Sequence, residues 1–261
     1  MTDTLTIALS KGKLLEPALE LLNRVGLAPK GITAESRRLI FEHPASGTTL
    51  MIIRPSDVPT YVEYGAVDAG IVGADILMEQ ATDVYVPLDL GFGACRLAVA
   101  APDLERFSRP VATTHCLDPL QSKEQRVPRA MGSPATGPPT SKLRKPQTLP
   151  SDVSEHHSRR LRVATKYPNV TERHFSQKGI PIEIIKLYGS IELAPLVGLA
   201  DRIVDLVSTG RTLRAHHLVV TEVIAESTAR LIVNRASLRL KNRRVNGLIE
   251  ALRAGLQGGR P

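Results

Sequence analysis

The chain has 261 residues, a net charge of +8, 42% hydrophobic and 23% charged residues, which suits one large domain or two modest ones with a real core. No run reaches the roughly 18 apolar residues that a membrane span needs, so a membrane protein is excluded. Two cysteines, Cys95 and Cys116, make neither a disulfide framework nor a Cys-rich zinc pattern, and the N-terminus lacks the basic and apolar regions of a secretory signal, so a cytoplasmic location is expected.

From the N-terminus, short β-rich runs alternate with helical periodicity, the pattern of a mostly parallel sheet covered by helices. Residues 4–9 read as a strand, after which Leu14, Leu15, Ala18, Leu21, Leu22 and Val25 follow helical spacing until Gly26 stops them. Strands are expected at 49–53 and 67–72, a short helix from Ser56 to Tyr64 with Ser56 or Asp57 near its N-cap, and a further strand beginning at 95–100. Between residues 103 and 161 lie eight of the 19 prolines, with little apolar periodicity. Such a stretch cannot bury enough apolar surface to offset its ordering entropy, so a long disordered insertion is expected at about 105–158. Its length is an anomaly inside a compact domain, for which a surface insertion, a displaced tail and a local sequence artefact compete. Beyond it a strand is expected at 162–166, a helix from about Asn169 to Lys178 ending at Gly179, and a β-like run at 181–187. A buried strand at 201–207, one or two strands across 218–233 and one amphipathic basic helix from Ala236 to Leu256 complete the reading.

The basicity is uneven. Residues 103–161 hold ten Lys and Arg against six Asp and Glu, residues 230–261 hold eight against one, and the remainder carries 16 against 19. Positive charge confined to one middle segment and one C-terminal helix, with 3% aromatics and no tryptophan to stack on bases, argues against nucleic-acid binding. A solvated basic helical face, or one that meets an acidic partner, is the expectation.

The most informative segment runs from Asp205 to Leu213. A β-branched strand enters small hydroxyl residues around a glycine, so several backbone N–H groups converge on one point, as in a phosphate cup. Gly210 permits a positive φ and close backbone approach, and Ser208, Thr209 and Thr212 add hydroxyl donors. An ordinary capped strand-to-helix turn has the same composition. Asp205 stands at the strand end, where a carboxylate can accept hydrogen bonds from a sugar diol. Lys11-Gly12-Lys13 follows a strand and opens a helix, bringing a lysine and exposed N–H groups to one place, although not with the full Walker spacing. Arg54 ends a strand, where its guanidinium grips a phosphate or makes a surface ion pair. Asp75 falls at a helix N-terminus, where capping is the simpler role; Arg96 and Tyr167 are weaker candidates. The pairs His156-His157 and His216-His217 do not make a metal site, because adjacent histidines on a strand point to opposite faces and no third ligand is spaced to join them.

Residues Gly189 to Leu213 resemble the signature of the ATP phosphoribosyltransferase family. Independent blocks agree: Leu9 to Leu14, Arg54 to Glu63, Asp68 to Asp75, Gly91 to Arg96, Arg162 to Asn169 and Arg230 to Ala236. The resemblance covers about residues 4–102 and 161–256 and leaves the proline-rich middle outside. It implies transfer of phosphoribose from phosphoribosyl pyrophosphate to N1 of the ATP adenine, releasing pyrophosphate with Mg2+ present, as the first step of histidine biosynthesis. By that resemblance Ser208, Thr209, Gly210, Arg211 and Thr212 hold the ribose 5-phosphate, while Asp205 and Glu192 serve catalysis at ribose hydroxyls or a magnesium-linked oxygen. Lys11, Gly12, Arg54, Asp75, Arg96 and Tyr167 contact ATP or phosphate, and magnesium is carried by substrate rather than by a protein metal site.

The family's fold implies two α/β domains resembling the type II periplasmic binding-protein fold. Domain I would comprise 1–92 plus 218–261, and domain II 93–217, with the phosphoribosyl pyrophosphate loop and the insertion. No room remains after Leu256 for a histidine-sensing domain, so the short form is expected. That form resembles a homodimer within a hetero-oligomer, joined by a regulatory subunit resembling histidyl-tRNA synthetase. The family has an Asn-Gly-like turn near Ala215 to His217, from which this chain departs. The alternative is a catalytically silent binding-protein-like sensor of small molecules, which predicts loss of the cup's polar residues; none is missing.

Overall fold

A computed structural model describes residues 4–29, 31–32, 38–103 and 160–258. The expected insertion at 105–158, with Cys116 and His156-His157, lies outside the described residues. The described strands form two sheets. The first contains β1 (Leu5–Ser10), β2 (Ile40–His43), β3 (Thr48–Ile53), β4 (Ala69–Gly73), β5 (Tyr85–Asp89) and β11 (Ala229–Val233), in the order β2-β3-β1-β4-β11-β5. The second contains β6 (Cys95–Pro102), β7 (Leu161–Thr165), β8 (Ile182–Lys186), β9 (Arg202–Val207) and β10 (Leu218–Ser227), in the order β10-β6-β9-β7-β8. The helices are α1 (Leu15–Arg24), α2 (Val58–Glu63), α3 (Ala74–Gln80), α4 (Pro168–Gln177), α5 (Arg211–Ala215), α6 (Arg235–Leu240) and α7 (Asn242–Gln257).

In the first sheet β3, β1 and β4 run parallel, with Leu9 opposite Ile52 on one side and Ile71 on the other. All five residues of β4 are buried, as a strand covered on both faces requires. One face packs Leu5, Ile7 and Leu9 against Leu15, Leu19 and Leu22 of α1 and Val245, Leu248 and Leu252 of α7. The opposite face enters a second core that joins the two halves: Val58, Val62 and Ile76 meet Leu97, Val99, Val163, Val204 and Phe175. A third cluster covers the far side of the second sheet with Ile191, Ile203, Val207, Leu213 and Leu218.

The chain passes between the sheets twice, at residues 90–94 and again at Thr228. The two passages are bonded to each other: the Leu90 N–H donates to the Ala229 carbonyl and the Ala229 N–H to the Phe92 carbonyl, both at 2.9 Å. Asp89 accepts from the Gly91 N–H (2.9 Å) and the Thr228 hydroxyl (2.8 Å) and pairs with Arg230 (3.0 Å). Burial raises the Asp89 pKa, but those donors and the Arg230 charge outweigh it and hold the carboxyl below its ordinary value.

Several expectations are corrected by the sheets. β10 pairs antiparallel with β6 from Leu218 opposite Pro102 to Ser227 opposite Cys95, so residues 218–227 belong to the second sheet and the return to the first comes at Thr228, ten residues later than expected. β2 and β5 are edge strands with partly exposed faces, which dilutes the alternation that marks a strand. The C-terminal helix is two helices. Asn234 caps α6 by accepting from the Ser237 N–H (2.9 Å), and the chain bends at Lys241 (φ −112°, ψ 32°), whose ammonium reaches the Thr4 carbonyl (2.9 Å) and Asp68 (2.8 Å). Much of the basic C-terminal segment meets acids of the chain itself: Arg230 pairs with Asp89, Arg235 with Asp83, Lys241 with Asp68 and Arg253 with Glu250.

Asp68 ties the C-terminal segment to the first sheet, accepting from Lys241, from the Ser237 hydroxyl (2.7 Å) and from the Thr6 N–H (2.9 Å). Burial alone would raise its pKa; the hydrogen bonds from Lys241, Ser237 and Thr6 and the ammonium charge prevail and lower it below 3.8. A lowered folded-state pKa stabilises the fold above the unfolded value, and that stability disappears as pH falls through the lowered value. Asp68→Asn is therefore expected to cost about 1–3 kcal/mol at pH 7 and progressively less below pH 3.8, measured by urea melts across pH.

Candidate active site

The C-terminal ends of strands from both sheets face one cleft. After β1, the Ser10 hydroxyl donates to the Ile71 carbonyl (2.8 Å) and the Lys11 N–H to the Ile53 carbonyl (2.8 Å). Gly12 then takes φ +100°, a conformation that side chains rarely adopt, and turns the lysine pair toward the cleft at the start of α1. Across the cleft, β9 ends in Ser208-Thr209-Gly210, with Gly210 at φ +69° as the N-cap of α5. Arg214 braces this turn by donating from its guanidinium to the Thr209 carbonyl (3.2 Å).

A pocket of about 140 Å³ is lined by Lys13, Glu192, Asp205, Leu206, Val207 and every residue from Ser208 to Leu213. Beside it, a cavity of about 300 Å³ is lined by residues that include Ser10, Lys11, Lys13, Asp75, Cys95, Lys166, Tyr167, Ser208 and Ser227. Lys13, Leu206 and Ser208 line both. Burial raises the Asp205 pKa and the Glu192 charge adds to it, against the opposing N–H of Leu206 (2.8 Å) and the Lys166 and Lys13 charges. Two carboxylates and two ammonium groups thus act on one another at the mouth of the cup.

The wall of the larger cavity is built around Asp75, which is 6% exposed. One of its oxygens accepts from the Ser227 hydroxyl (2.8 Å) and the other from the Tyr167 hydroxyl (2.9 Å), while the Asp75 N–H donates to Ser227 Oγ (3.0 Å). Gly73 allows this arrangement, since a Cβ there would lie 2.2 Å from an Asp75 oxygen. Tyr167 is fixed in turn by its N–H donating to Thr165 Oγ1 (2.9 Å), and the Thr165 hydroxyl donates to the Val204 carbonyl (2.8 Å). Burial and the neighbouring Asp75 push the Tyr167 phenol far above its ordinary value, so it stays a donor. Burial, and then Asp75, also raise the Cys95 thiol against the opposing effects of Ser227 and Lys13.

The candidates divide accordingly. Ser208, Thr209, Gly210, Arg211, Thr212, Asp205 and Glu192 come together at the cup; Lys11, Asp75 and Tyr167 line the adjoining cavity, with Gly12 in the turn. Asp75 and Tyr167 bond to each other, so they shape the wall before they meet any ligand. Arg54 is exposed at the end of β3, where its neighbour Pro55 lines the cavity. Arg96 is exposed and stands opposite Val207 of β9, next to the cup strand's end. Lys13, Lys166, Cys95 and Ser227 were not among the candidates. Lys13 shares its turn with Lys11 and Lys166 adjoins Tyr167, which were available signals; Ser227 had none. The turn after α5 places His217 at φ +54°, the left-handed conformation for which an Asn-Gly-like sequence is suited. Removing the Tyr167 hydroxyl leaves a buried Asp75 oxygen without its donor, so Tyr167→Phe is expected to cost about 1.5–3 kcal/mol, read from denaturant midpoints.

A profile of the ATP phosphoribosyltransferase family matches residues 54–126 and 136–254. It thereby takes in much of the proline-rich stretch that the sequence resemblance left outside. ATP phosphoribosyltransferase of Geobacter metallireducens is 47% identical over 97% of this chain and 98% of its own length. That of Moorella thermoacetica is 46% identical over 99% of this chain and 96% of its own. Among solved structures, the ATP phosphoribosyl transferase (HisG:HisZ) complex from Thermotoga maritima superposes with a TM-score of 0.69 at 28% identity, covering 98% of this chain and 100% of that one. The periplasmic aliphatic sulphonate binding protein SsuA from Escherichia coli shares the fold at a TM-score of 0.50 and 11% identity, covering 97% of this chain and 72% of that one. Profile, near full-length relatives and a two-sheet cleft agree, and the chain belongs to the ATP phosphoribosyltransferase family.

Proposed function

We propose that the cleft transfers phosphoribose from phosphoribosyl pyrophosphate to N1 of the ATP adenine, the entry reaction of histidine biosynthesis. The observation that carries this reading is the wall of Lys13, Leu206 and Ser208 common to the two pockets, which sets a phosphate cup beside a cavity able to take a purine. The bond from the anomeric carbon to the pyrophosphate oxygen breaks, and the bond to adenine N1 forms. N1 attacks through its own lone pair, so no side-chain nucleophile is required, and the chain's task is to orient two nucleotides and stabilise departing negative charge.

In this reading the N–H and hydroxyl groups of Ser208 to Thr212 hold the 5-phosphate, and Asp205 and Glu192 orient the ribose hydroxyls. Lys11, Lys13 and Lys166 supply positive charge toward the pyrophosphate. Among the described residues no three His, Cys, Asp or Glu side chains gather as a cation cage. The two cup carboxylates suit a magnesium ion that keeps most of its ligands from substrate oxygens and water. When bound there, magnesium would neutralise pyrophosphate charge, with Asp205 and Glu192 as the residues able to hold it. No helix among the described residues is long and apolar enough to cross a membrane, and a cytoplasmic enzyme is the proposal. Because the Thermotoga maritima neighbour was solved as a HisG:HisZ complex, we propose a regulatory partner related to histidyl-tRNA synthetase, joined to a homodimer of this chain. Feedback inhibition by histidine should then be weak in the isolated chain.

The test is incubation of the purified chain with ATP, phosphoribosyl pyrophosphate and Mg2+, with and without the partner. The phosphoribosyl-ATP chromophore is expected; its absence from both samples would favour a silent sensor. Asp205 gives a finer test. Its folded-state pKa lies above 3.8, so this carboxyl favours the fold below that value and the favour is lost as pH rises through the raised one. Asp205→Asn is expected to lower turnover on the order of a hundredfold without lowering the melting temperature at pH 7. It should also remove the acidic limb of the rate profile; unchanged kinetics would take Asp205 out of the mechanism.

A further inference from the structure

α4 begins without a cap of its own. Its N-cap position is Tyr167, which makes no side-chain capping bond, and Pro168 follows at the first helical position. Proline has no N–H, so the first donors in need of acceptors are those of Asn169 and Val170, which a Ser, Thr, Asp or Asn at the N-cap would ordinarily serve. Both are taken by one residue of the other half of the molecule. The Asn169 N–H donates to Glu79 Oε1 at 3.1 Å and the Val170 N–H to Glu79 Oε2 at 3.0 Å. The Asn169 side-chain amide donates to the Glu79 carbonyl at 3.0 Å. A carboxylate at this end also opposes the positive pole of a ten-residue helix.

Glu79 does not act alone. Asp75 lies four residues earlier on α3, one helical turn away on the same face, and accepts from the Tyr167 hydroxyl. α3 therefore grips one short segment of the opposite half at two heights, Tyr167 through Asp75 and Asn169 with Val170 through Glu79. The gripped segment begins with Lys166 and Tyr167, which line the cavity, and Lys166 is one of the two ammonium groups acting on Asp205. Glu79 itself lines neither pocket, so an effect on the reaction would pass through that segment.

We propose that Glu79 is a positioning residue for phosphoribosyl transfer: by capping α4 from α3 of the other half, it latches the two halves in the arrangement that sets Lys166 and Tyr167 opposite Lys11 and Lys13. The proposal rests on the reading of the cleft as the site for both substrates. A movement that parts α3 from α4 would leave the helix end uncapped, whereas their contact restores two charge-assisted hydrogen bonds, so Glu79 biases the free protein toward the joined arrangement.

The experiment compares the full-length wild type with Glu79→Ala and Glu79→Gln by steady-state kinetics and by small-angle X-ray scattering without substrates. Glu79→Ala is expected to raise KM for ATP and for phosphoribosyl pyrophosphate on the order of tenfold while kcat changes less than about threefold. Its radius of gyration should increase and return to the wild-type value at saturating substrate. Glu79→Gln, which keeps the shape and one acceptor, should fall between the two, and it carries the comparison if the alanine variant does not fold. Unchanged KM values would overturn the proposal, even with a lower melting temperature, and so would an unchanged scattering profile. A wild type that makes no phosphoribosyl-ATP, with scattering that still separates it from Glu79→Ala, would refute the assigned reaction and leave the latch standing.

Discussion

At the cleft a buried carboxylate fastens three distant stretches of chain. Asp75 accepts from Tyr167, 92 residues later, and from Ser227, 152 residues later. Those partners stand respectively at the start of α4 and at the end of β10, where the chain is about to leave the second sheet. Withdrawing either donor leaves a carboxylate oxygen buried without a partner, a penalty larger than the net gain of an ordinary hydrogen bond. The apolar cluster joining Ile76 and Val58 to Val163, Val204 and Phe175 supplies non-directional attraction between the halves. The hydrogen bonds at Asp75 fix their register, and with it the alignment of the lysine turn with the cup.

That alignment explains why the local pieces are chemically modest while the assembled site is not. The cup is a strand end with a left-handed glycine, and the lysine turn is a loop with another; each has many counterparts in α/β proteins. Set against each other, they place Lys13 on the wall shared by two pockets and within electrostatic reach of Asp205 and Cys95. Lys13 and Lys166 thereby oppose, before any substrate arrives, the burial and the Glu192 charge that raise the Asp205 pKa. A displacement whose main demand is charge stabilisation profits from such preorganisation, because little has to reorient during the reaction.

What could be read from the sequence is what depends on neighbouring residues. The strand entering Ser208-Thr209-Gly210, the glycine turn after β1 and the helix stopped by Gly26 are local patterns, and the structure contains each of them. The break at Lys241 was invisible because it answers to Asp68 and Thr4, more than 170 residues away. The sheet membership of β10 was hidden for a similar reason: Leu218 to Ser227 reads as strand in either sheet, and only pairing with β6 decides. Ser227 and Glu79 carry no local signal, one being a hydroxyl at a strand end and the other an acid on a short helix; both find their partners in distant segments of the chain. The lysines show an intermediate case: the turn at Lys11 and the segment at Tyr167 are local patterns, whereas the approach of Lys13 and Lys166 to Asp205 depends on the assembled halves.

A crystal structure of the chain with phosphoribosyl pyrophosphate would show where the sugar phosphate binds. The 5-phosphate is expected on the backbone amides of Ser208 to Thr212, with the pyrophosphate directed toward Lys13. A sugar phosphate bound elsewhere, with the turn at Gly210 making no contact to it, would remove Ser208 to Thr212 from the phosphoribosyl site.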